Sequence, residues 1–412
     1  MVASAVGEVI LINISGTDKQ GLTSLISTQL ANYDVNILDI GQATIHQNLS
    51  LGILAEVPKA EADSMQRGLR LACEAVGLTV RFTPIDSSEY EFWVEQQGKP
   101  RFIMTLLARK LTAEHIAKTT AVIAENQLNI DTISRLSGRI SLINQQNPPN
   151  ACVEFSLRGE LTTAALAQIK GRFSHLATTL DIDIAFQRDD VYRRHRRLIV
   201  LDMDSTLIAT EVIDELAKRA GCLQQVGAIT EAAMQGELDF KASLIKRVSL
   251  LKGLDESVMA DIAARLPLSE GAERLISTLK KLGLKVAILS GGFSYFGEHL
   301  KKRLDIDYVL SNQLEIIDGK LTGKVKGTIV DGERKAAYLK ELAAKENISL
   351  AQTIAVGDGA NDLPMLSIAG LGIAYRAKPL VKANADHAIS TLGLDAVLYL
   401  LGVRDREVES EL

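Results

Sequence analysis

The stretch LIVLDMDST, residues 198–206, joins an apolar run of strand type directly to two aspartates. Side chains two residues apart in an extended backbone point the same way, so the carboxylates of Asp202 and Asp204 can face one site. Two close carboxylates repel each other, and this repulsion favours a cation between or beside them. The stretch therefore predicts a buried strand that ends at a metal site.

Two further runs of strand type end in polar motifs. Residues 286–289 lead into Ser290-Gly291-Gly292, and residues 353–356 lead into GDGAND at 357–362. Lys335 lies near the start of a helical pattern between them. Open α/β sheets place their ligands at the carboxyl ends of strands, so we expect these groups to meet at one edge.

Strands and helical patterns alternate from residue 198 to about 405. This order predicts a doubly wound, Rossmann-like α/β domain with a mainly parallel sheet over 198–405. Residues 209–266 interrupt the alternation with a helical pattern, between the first acidic motif and the second strand. We expect this insertion to form a small helical cap over the strand ends, where a lid belongs.

The convergent groups suit magnesium-assisted phosphoryl transfer through a carboxylate nucleophile. No serine or cysteine has an evident activating base in the sequence, whereas a carboxylate needs no deprotonation at pH 7. The second carboxylate of the pair can serve as general acid and base. The Ser290 hydroxyl and the N–H groups after it suit phosphate oxygens, and Lys335 can neutralise charge in the transition state.

The last motif supplies further oxygen ligands. Mg²⁺ prefers oxygen ligands, and Asp358 and Asp362 are placed to complete its site. Asn361 offers a neutral donor for phosphate or substrate.

The N-terminal half contains two divergent copies of one pattern. Residues 1–85 and 101–187 each show the order βαββαβ of a ferredoxin-like fold. Short apolar runs recur at an offset of 93 residues, which indicates an internal duplication. The polar segment 86–101 is interpreted as a linker between the copies, and the basic segment 188–197 as a solvated linker to the α/β domain.

Composition excludes several classes of function. A net charge of −5 over 412 residues argues against nucleic acid as a partner. No apolar run reaches the ~18–20 residues needed to span a membrane, and the N-terminus lacks the features of a signal peptide. Three isolated cysteines fit a reducing compartment, and the histidines show no zinc-type spacing. We therefore expect a cytoplasmic enzyme.

In their order, the motifs resemble those of the haloacid dehalogenase superfamily of phosphotransferases. Residues 201–207 resemble its first motif, Ser290 the second, Lys335 the third and residues 357–362 the fourth. An acidic residue at the second position of the first motif resembles the phosphatase branch.

This resemblance implies roles for the acidic residues. Asp202 is expected to be the nucleophile and Asp204 the general acid and base. The ligands of Mg²⁺ would be Asp202, the backbone carbonyl of Asp204 and Asp358, with Asp362 close behind. The intermediate would be an aspartyl-phosphate.

Over residues 198–405 the chain is most similar to the phosphoserine phosphatases of that superfamily. The positions that match their substrate pattern are Glu211, Met234, Phe240, Arg247 and Gly291. The resemblance implies that the glutamate meets the substrate ammonium, the arginine clamps its carboxylate, and Met234 and Phe240 form an apolar wall. Phosphoserine carries one cation and one carboxylate beyond its phosphate, so its pocket needs one anion and one bidentate cation. The implied reaction converts O-phospho-L-serine to L-serine and phosphate, the last step of serine biosynthesis.

The two N-terminal repeats resemble ACT domains, small modules that often bind amino acids at paired interfaces. In the first repeat the loop after the first strand resembles their effector loop. Its candidate effector-binding residues are Gly16, Asp18, Gln20 and Gly21. The resemblance implies that L-serine binds there between subunits of a homo-oligomer, with a dimer favoured, and lowers activity. The second repeat departs from this pattern, with Leu111 in place of the aspartate and Glu114 in place of the second glycine, so a role in dimerisation is the alternative for its loop.

Two other functions remain open at this point. A phosphatase or phosphotransferase for another small phosphoester would share the catalytic motifs but would not need both Glu211 and Arg247. An amino-acid sensor with an inactive catalytic domain is the alternative outside the enzymes. It is disfavoured because every catalytic position holds a competent residue.

Overall fold

The computed structural model describes residues 7–139, 141, 143, 150–235 and 237–409. The chain divides into two compact units, Met1–Lys99 and Pro100–Leu412. Among the described residues, no helix combines the length and the apolar character that a membrane span requires.

The first unit contains a four-stranded antiparallel sheet with two helices on one face. Its elements are β1 (Glu8–Thr17), α1 (Leu22–Ala31), β2 (Asn36–Ile45), β3 (Asn48–Val57), α2 (Ala62–Ala75) and β4 (Leu78–Ile85). The strands lie in the order β2-β3-β1-β4. Alternate side chains of β1 and β3, such as Ile12 and Ile53, are fully buried against Ile26 and Met65 of the helices. This arrangement is the predicted βαββαβ fold, in which a period of two turns one strand face toward the core.

A further helix, α3 (Ser87–Gln97), follows β4. Asp86 accepts hydrogen bonds from the N–H groups of Ser88 and Glu89, and the Glu89 carboxylate accepts one from the Asp86 N–H. This capping box satisfies N–H groups that the first helical turn leaves free. Polar composition predicts only a linker over 86–101, and the cap explains why most of this segment is helical.

The second repeat begins the second unit and has the same topology as the first. Its elements are β5 (Arg101–Ala108), α4 (Ala113–Glu125), β6 (Asn129–Arg135), β7 (Ala151–Arg158), α5 (Thr163–Leu180) and β8 (Asp183–Arg188). The strands lie in the order β6-β7-β5-β8, which matches the first repeat strand for strand. The core joins Met104 and Phe155 of the sheet to Ile123 and Phe173 of the helices.

A seven-stranded sheet forms the centre of the remaining described residues. Its strands are β9 (Leu198–Leu201), β10 (Lys285–Phe293), β11 (Tyr308–Ile317), β12 (Lys320–Lys326), β13 (Thr353–Gly357), β14 (Leu371–Tyr375) and β15 (His387–Ile389). They lie in the order β12-β11-β10-β9-β13-β14-β15, and only the β11–β12 hairpin is antiparallel. All four residues of β9 are fully buried, as a central parallel strand requires. The predicted doubly wound α/β fold is confirmed.

Helices cover both faces of this sheet and form the insertion after β9. The helices of the insertion are α6 (Val212–Ala220), α7 (Leu223–Met234), α8 (Phe240–Ser249) and α9 (Ser257–Ala263). The others are α10 (Ala272–Lys281), α11 (Ser294–Leu304), α12 (Gly332–Lys345), α13 (Leu363–Ile368), α14 (Pro379–Asn384), α15 (Val397–Leu400) and α16 (Asp405–Glu409). An isolated bridge between Ile208 and Leu268 brings the two ends of the insertion together.

The loop after β5 in the second repeat contacts the α/β domain of its own chain. Arg109 occupies the position that Gly16 has in the first repeat. Its guanidinium donates to both Glu270 carboxylate oxygens, at 2.6 and 2.7 Å, and to the Thr391 carbonyl at 2.9 Å. Asp183 on β8 also accepts hydrogen bonds from the Thr391 N–H at 2.8 Å and hydroxyl at 2.6 Å. The loop after β5 therefore attaches the second repeat to the α/β domain, which is a different role from the one predicted for the corresponding loop of the first repeat.

Candidate active site

Three carboxylates meet at the carboxyl ends of β9 and β13. These strands pair in parallel, with Leu201 beside Val356, so the residues that follow them emerge at the same edge. Oxygen atoms of Asp202, Asp358 and Asp362 all lie within 4.8 Å of one another. The cluster is largely buried, which makes the mutual repulsion of the charges stronger than it would be in water.

Lys335 on α12 provides the cation nearest to this cluster. Its side chain is fully buried, and its ammonium lies 2.9 Å from Asp202 Oδ1 and 2.7 Å from Asp362 Oδ1. Burial disfavours the charged ammonium, but the two carboxylates outweigh burial and raise the pKa of Lys335 above its usual value. The other oxygen of Asp362 accepts hydrogen bonds from the Asp358 and Gly359 N–H groups at 3.1 and 2.9 Å. Asp362 therefore orients both the lysine and the loop that carries Asp358.

The acidic cluster fits a divalent cation by its chemistry. Burial, together with the Asp202 and Asp362 charges, raises the pKa of Asp358 to about 8. Burial and the Asp202 charge also raise the pKa of Asp362 to about 6, although Lys335 opposes this rise. The Thr206 hydroxyl donates to Asp358 Oδ1 at 2.7 Å and fixes its orientation. Lys335 compensates only part of the negative charge of these three carboxylates, and Mg²⁺ prefers such oxygen donors.

Asp204 faces a different part of the site from Asp202. Directly after Asp204 the chain turns sharply, with Ser205 in the left-handed region at φ 55°. Asp204 Oδ1 accepts a hydrogen bond from the Val212 N–H at 2.9 Å. Burial, followed by the charges of Glu211 and Asp202, raises the pKa of Asp204 well above its usual value. The carboxylate therefore tends to hold a proton, as a general acid must.

Ser290 lies in β10 beside the acidic cluster, at the last position before the regular pairing with β11 is interrupted. Its hydroxyl oxygen accepts a hydrogen bond from the Gly292 N–H at 2.9 Å, and the residue is 1% exposed. A Cβ atom on Gly292 would lie 2.3 Å from Asp204 Oδ2. The glycine is therefore required because the two motifs approach more closely than any side chain permits.

The helices of the insertion lie over these groups, and together they line an open cavity of about 830 Å³. The ring of Phe240 packs on Gly291, where an added Cβ atom would lie only 2.6 Å from the ring. Glu211 accepts a hydrogen bond from the Ser205 hydroxyl at 2.7 Å, and burial raises its pKa. Arg247 also lines the cavity, and its buried Nε has no hydrogen-bond partner among the described residues. The acidic side chain of Glu211 and the basic side chain of Arg247 thus line the same cavity.

The remaining predicted residues lie as follows. Asn361 lines the same cavity, whereas the Met234 side chain lies outside the described part of the chain. In the first unit, the predicted effector loop joins β1 to α1, and Gly21 precedes the helix at φ 85°. Asp18 and Gln20 are exposed on that loop.

The structure adds site residues that the motifs do not single out. Thr206 and Ser205 lie within the first motif but act on Asp358 and Glu211, which are remote in sequence or belong to the insertion. Asp331 caps α12 and pairs with Lys241 of the insertion at 2.8 Å. An aspartate just before a helical pattern is a recognisable cap signal, but its ion pair depends on how the insertion folds back.

Comparison with known proteins identifies the family. The haloacid dehalogenase-like hydrolase family matches residues 199–367, and the ACT domain family matches residues 8–83. A phosphoserine phosphatase from Streptomyces coelicolor is 40% identical over 409 residues, which cover 97% of this chain and 94% of that protein. The chain belongs to the phosphoserine phosphatase family. The predicted family is thereby confirmed.

Other relatives agree with this membership. A phosphoserine phosphatase from Mycobacterium tuberculosis is 39% identical, and the match covers 97% of this chain and 95% of that protein. Among solved structures, a haloacid dehalogenase family hydrolase from Salmonella enterica is 33% identical, covers 73% of this chain and 98% of its own, and superimposes with a TM-score of 0.62. A probable phosphoserine phosphatase from Vibrio cholerae is 36% identical, covers 77% and 90%, and has a TM-score of 0.56.

Proposed function

We propose that this member of the phosphoserine phosphatase family hydrolyses O-phospho-L-serine to L-serine and phosphate with the help of Mg²⁺. The observation that carries the proposal is a single cavity lined by Asp202 and Asp358 of the acidic cluster, Ser290, Glu211 and Arg247. The carboxylates and Ser290 would act on the phosphate of the substrate. Glu211 would bind its amino group, and Arg247 would bind its carboxylate. A phosphoester without an amino group and a carboxylate would leave the partly buried charges of Glu211 and Arg247 without these partners, which is costly.

Asp202 is the proposed nucleophile. Its Oδ1 accepts hydrogen bonds from the Met203 N–H and from Lys335, and both hold the carboxylate in one orientation. Oδ2 is then the oxygen that attacks phosphorus, which forms an aspartyl-phosphate as the bond to the serine oxygen breaks. Lys335 stays beside the carboxylate and balances the charge that accumulates on the phosphoryl oxygens.

Asp204 is the proposed general acid and base. Its Oδ1 is held by the Val212 N–H, so Oδ2 is the oxygen that carries the proton. That proton passes to the serine oxygen as it leaves, and the resulting carboxylate then takes a proton from the water that attacks the aspartyl-phosphate. Because Val212 begins the first helix of the insertion, closure of the insertion and the orientation of the acid are linked.

The residues that would hold Mg²⁺ are Asp202, Asp358 and the backbone carbonyl of Asp204. Asp362 lies behind them and is already engaged by Lys335 and two N–H groups. When bound, the ion would supply positive charge to a phosphoryl oxygen and keep the carboxylates ionised. Asn361 is the proposed neutral donor to the substrate.

We further propose that L-serine binds to the first repeat near Gly16, Asp18, Gln20 and Gly21, at an interface between subunits of a dimer, and lowers activity. The match of residues 8–83 to ACT domains supports this role. Titration calorimetry with L-serine on Arg247→Ala, which weakens the active site, should retain one binding event, and Asp18→Ala in the same background should lose it. If the double variant with Asp18→Ala still binds L-serine, the binding site lies elsewhere.

The nucleophile is tested with Asp202→Asn, which keeps the shape of the side chain. Phosphate release from phosphoserine is measured with Mg²⁺ and after chelation, and Asp261→Asn on the surface of α9 is the matched control. Both Asp202→Asn and chelation should reduce release to near background, whereas the control should match the native protein. Near-normal turnover of Asp202→Asn would contradict the assignment, and release from sugar phosphates alone would favour another phosphoester.

A further inference from the structure

Asn312 on β11 holds two parts of the phosphate site at once. The residue is 1% exposed, and both ends of its amide are used. Its Nδ2 donates to the Gly291 carbonyl at 2.7 Å, and its Oδ1 accepts from the Val330 N–H at 2.8 Å. The amide therefore bridges the loop after Ser290 and the segment that leads into α12.

The amide lies where the sheet ladder is interrupted. β10 and β11 pair residue by residue up to Ser290 beside Ser311, and pairing resumes with Phe293 beside Asn312. Gly291 and Gly292 form the bulge between these two pairs. A bulge leaves backbone groups unpaired, and the Asn312 side chain satisfies one of them.

The contact with the Gly291 carbonyl orients the next N–H group. The Gly291 carbonyl and the Gly292 N–H belong to one trans peptide, so they point in opposite directions. With the carbonyl held by Asn312, the N–H points away from it and donates to the Ser290 hydroxyl oxygen at 2.9 Å. A hydroxyl that accepts this hydrogen bond keeps its own proton for a different acceptor.

The contact with Val330 acts on the second phosphate-binding element. Val330 precedes Asp331, whose side chain caps α12 by accepting a hydrogen bond from the Arg334 N–H at 2.9 Å. Lys335 follows in the first turn of that helix. Asn312 thus fixes the start of the helix relative to the serine loop.

We infer that Asn312 is a positioning residue, which acts through the Gly291–Gly292 peptide to aim the Ser290 hydroxyl proton at the substrate phosphate. The inference rests on the proposed phosphatase function, since it assigns Ser290 to the phosphate. Asn312 itself does not contact the substrate, because its amide is consumed by the two backbone groups.

Asn312→Asp separates this role from folding. The carboxylate keeps an acceptor for the Val330 N–H but replaces the donor to the Gly291 carbonyl with a second acceptor. Gln313→Glu is the matched control, because it makes the same chemical change at the next position, which is exposed. Asn312→Ala is made in parallel. If the buried carboxylate of Asn312→Asp prevents folding, the alanine variant can still be measured.

We expect kcat of Asn312→Asp to fall about 10- to 100-fold, since a small misplacement of a catalytic group costs that much. In a Ser290→Ala background, the same change should reduce kcat by less than about 3-fold, because the hydroxyl that it aims is gone. A mere loss of packing would reduce activity equally in both backgrounds. Equal losses, or a native-like kcat in both folded Asn312 variants, would overturn the inference.

Binding of inorganic phosphate separates this test from the test of the substrate. Calorimetry on the native chain, Ser290→Ala and Asn312→Asp should show weaker phosphate binding in both variants. If the native chain binds phosphate but does not hydrolyse phosphoserine, the proposed substrate fails while the role of Asn312 is still measured. Unchanged phosphate affinity in Asn312→Asp, with weakened affinity in Ser290→Ala, would contradict the positioning role.

Discussion

Arg247 is the side chain proposed to bind the carboxylate of the substrate. It lines the same cavity as Glu211, and burial lowers its pKa although Glu211, Asp214 and Asp204 oppose this. Its Nε has no hydrogen-bond partner within the described ranges, so this donor is free for a substrate carboxylate. A partly buried cation without a partner is unfavourable, so we expect Arg247 to disfavour phosphoesters without a carboxylate as well as to bind those that have one.

We predict that Arg247→Ala reduces kcat/KM for phosphoserine by about 30- to 150-fold, since a charge-assisted hydrogen bond contributes about 2–3 kcal/mol. Steady-state kinetics should show a much smaller loss for a phosphoester that lacks a carboxylate. Lys246→Ala, the preceding cation on α8, is the control. Equal losses on both substrates would remove the arginine from carboxylate recognition.

The contact between α8 and the loop after β10 decides how closely the insertion covers Ser290 and the acidic cluster. Phe240 reaches Gly291 so closely that no Cβ atom fits between them. Asp331 and Lys241 add an ion pair across the same gap at 2.8 Å. The ion pair is exposed on the lysine side, so packing of the ring contributes most of the closure.

Gly291→Ala should therefore push the ring aside and reduce kcat/KM about 5- to 30-fold, the equivalent of about 1–2 kcal/mol of overpacking. The double change with Phe240→Leu should recover part of this loss, because the smaller side chain leaves room for the methyl group. Gly227→Ala on α7 is the control, because a Cβ atom there meets nothing within 4 Å. A loss in the double variant equal to the sum of the single losses would argue against the contact.

His387 on the edge strand β15 makes part of the fold sensitive to acid. Burial lowers its pKa to about 4, with Asp386 opposing and Lys170 and Arg196 adding to the shift. Its Nδ1 is buried without a hydrogen-bond partner among the described residues. The unfolded chain binds a proton near pH 6.5 and the folded chain only near pH 4, so stability is complete above 6.5 and is lost as the pH falls toward 4.

At pH 5 the loss of folding free energy caused by His387 is about 2 kcal/mol, since each pKa unit corresponds to about 1.4 kcal/mol. We predict that His387→Gln, which stays neutral, lowers the melting temperature little at pH 7.5 and narrows its drop between pH 7.5 and pH 5. Melting curves of the native protein and the variant at the two pH values measure this difference. His175→Gln on the exposed surface of α5 is the control and should leave the drop unchanged.

The described residues of the second unit join the second βαββαβ repeat to the α/β domain. Arg109 bonds to Glu270, which follows the end of the insertion, and Arg376 bonds to the same carboxylate at 2.6 Å. Glu270 lies two residues after Leu268, which closes the base of the insertion by pairing with Ile208. The repeat is thus attached next to the base of the element that covers the active site.

We predict that Arg109→Ala loosens this attachment by about 1 kcal/mol, a value limited by the partial exposure of both partners. Amide hydrogen exchange should speed up at residues 268–271 and 390–392, which the arginine holds directly or through its partner. Lys118→Ala removes an exposed ion pair within α4 of the same repeat and should leave those amides unchanged. Unaltered exchange in Arg109→Ala would show that packing alone holds the repeat.

Local patterns in the chain were sufficient for the order of strands and helices, the two βαββαβ repeats and the strand ends that carry Asp202, Ser290 and Asp358. Such features depend on side-chain period and on residues close in sequence, and they do not require knowledge of the packing. The helix α3 was missed because a polar composition conceals a capping box.

Packing over long sequence separations established the rest. Asp362 turns toward Lys335, Asp204 turns toward Val212, and Asn312 reaches the bulge at Gly291. Each of these contacts exists because neighbouring strands bring together segments that the chain separates. Strand order and the path of the insertion are properties of the whole core, so the partner of a given polar side chain emerges only when the sheet is assembled.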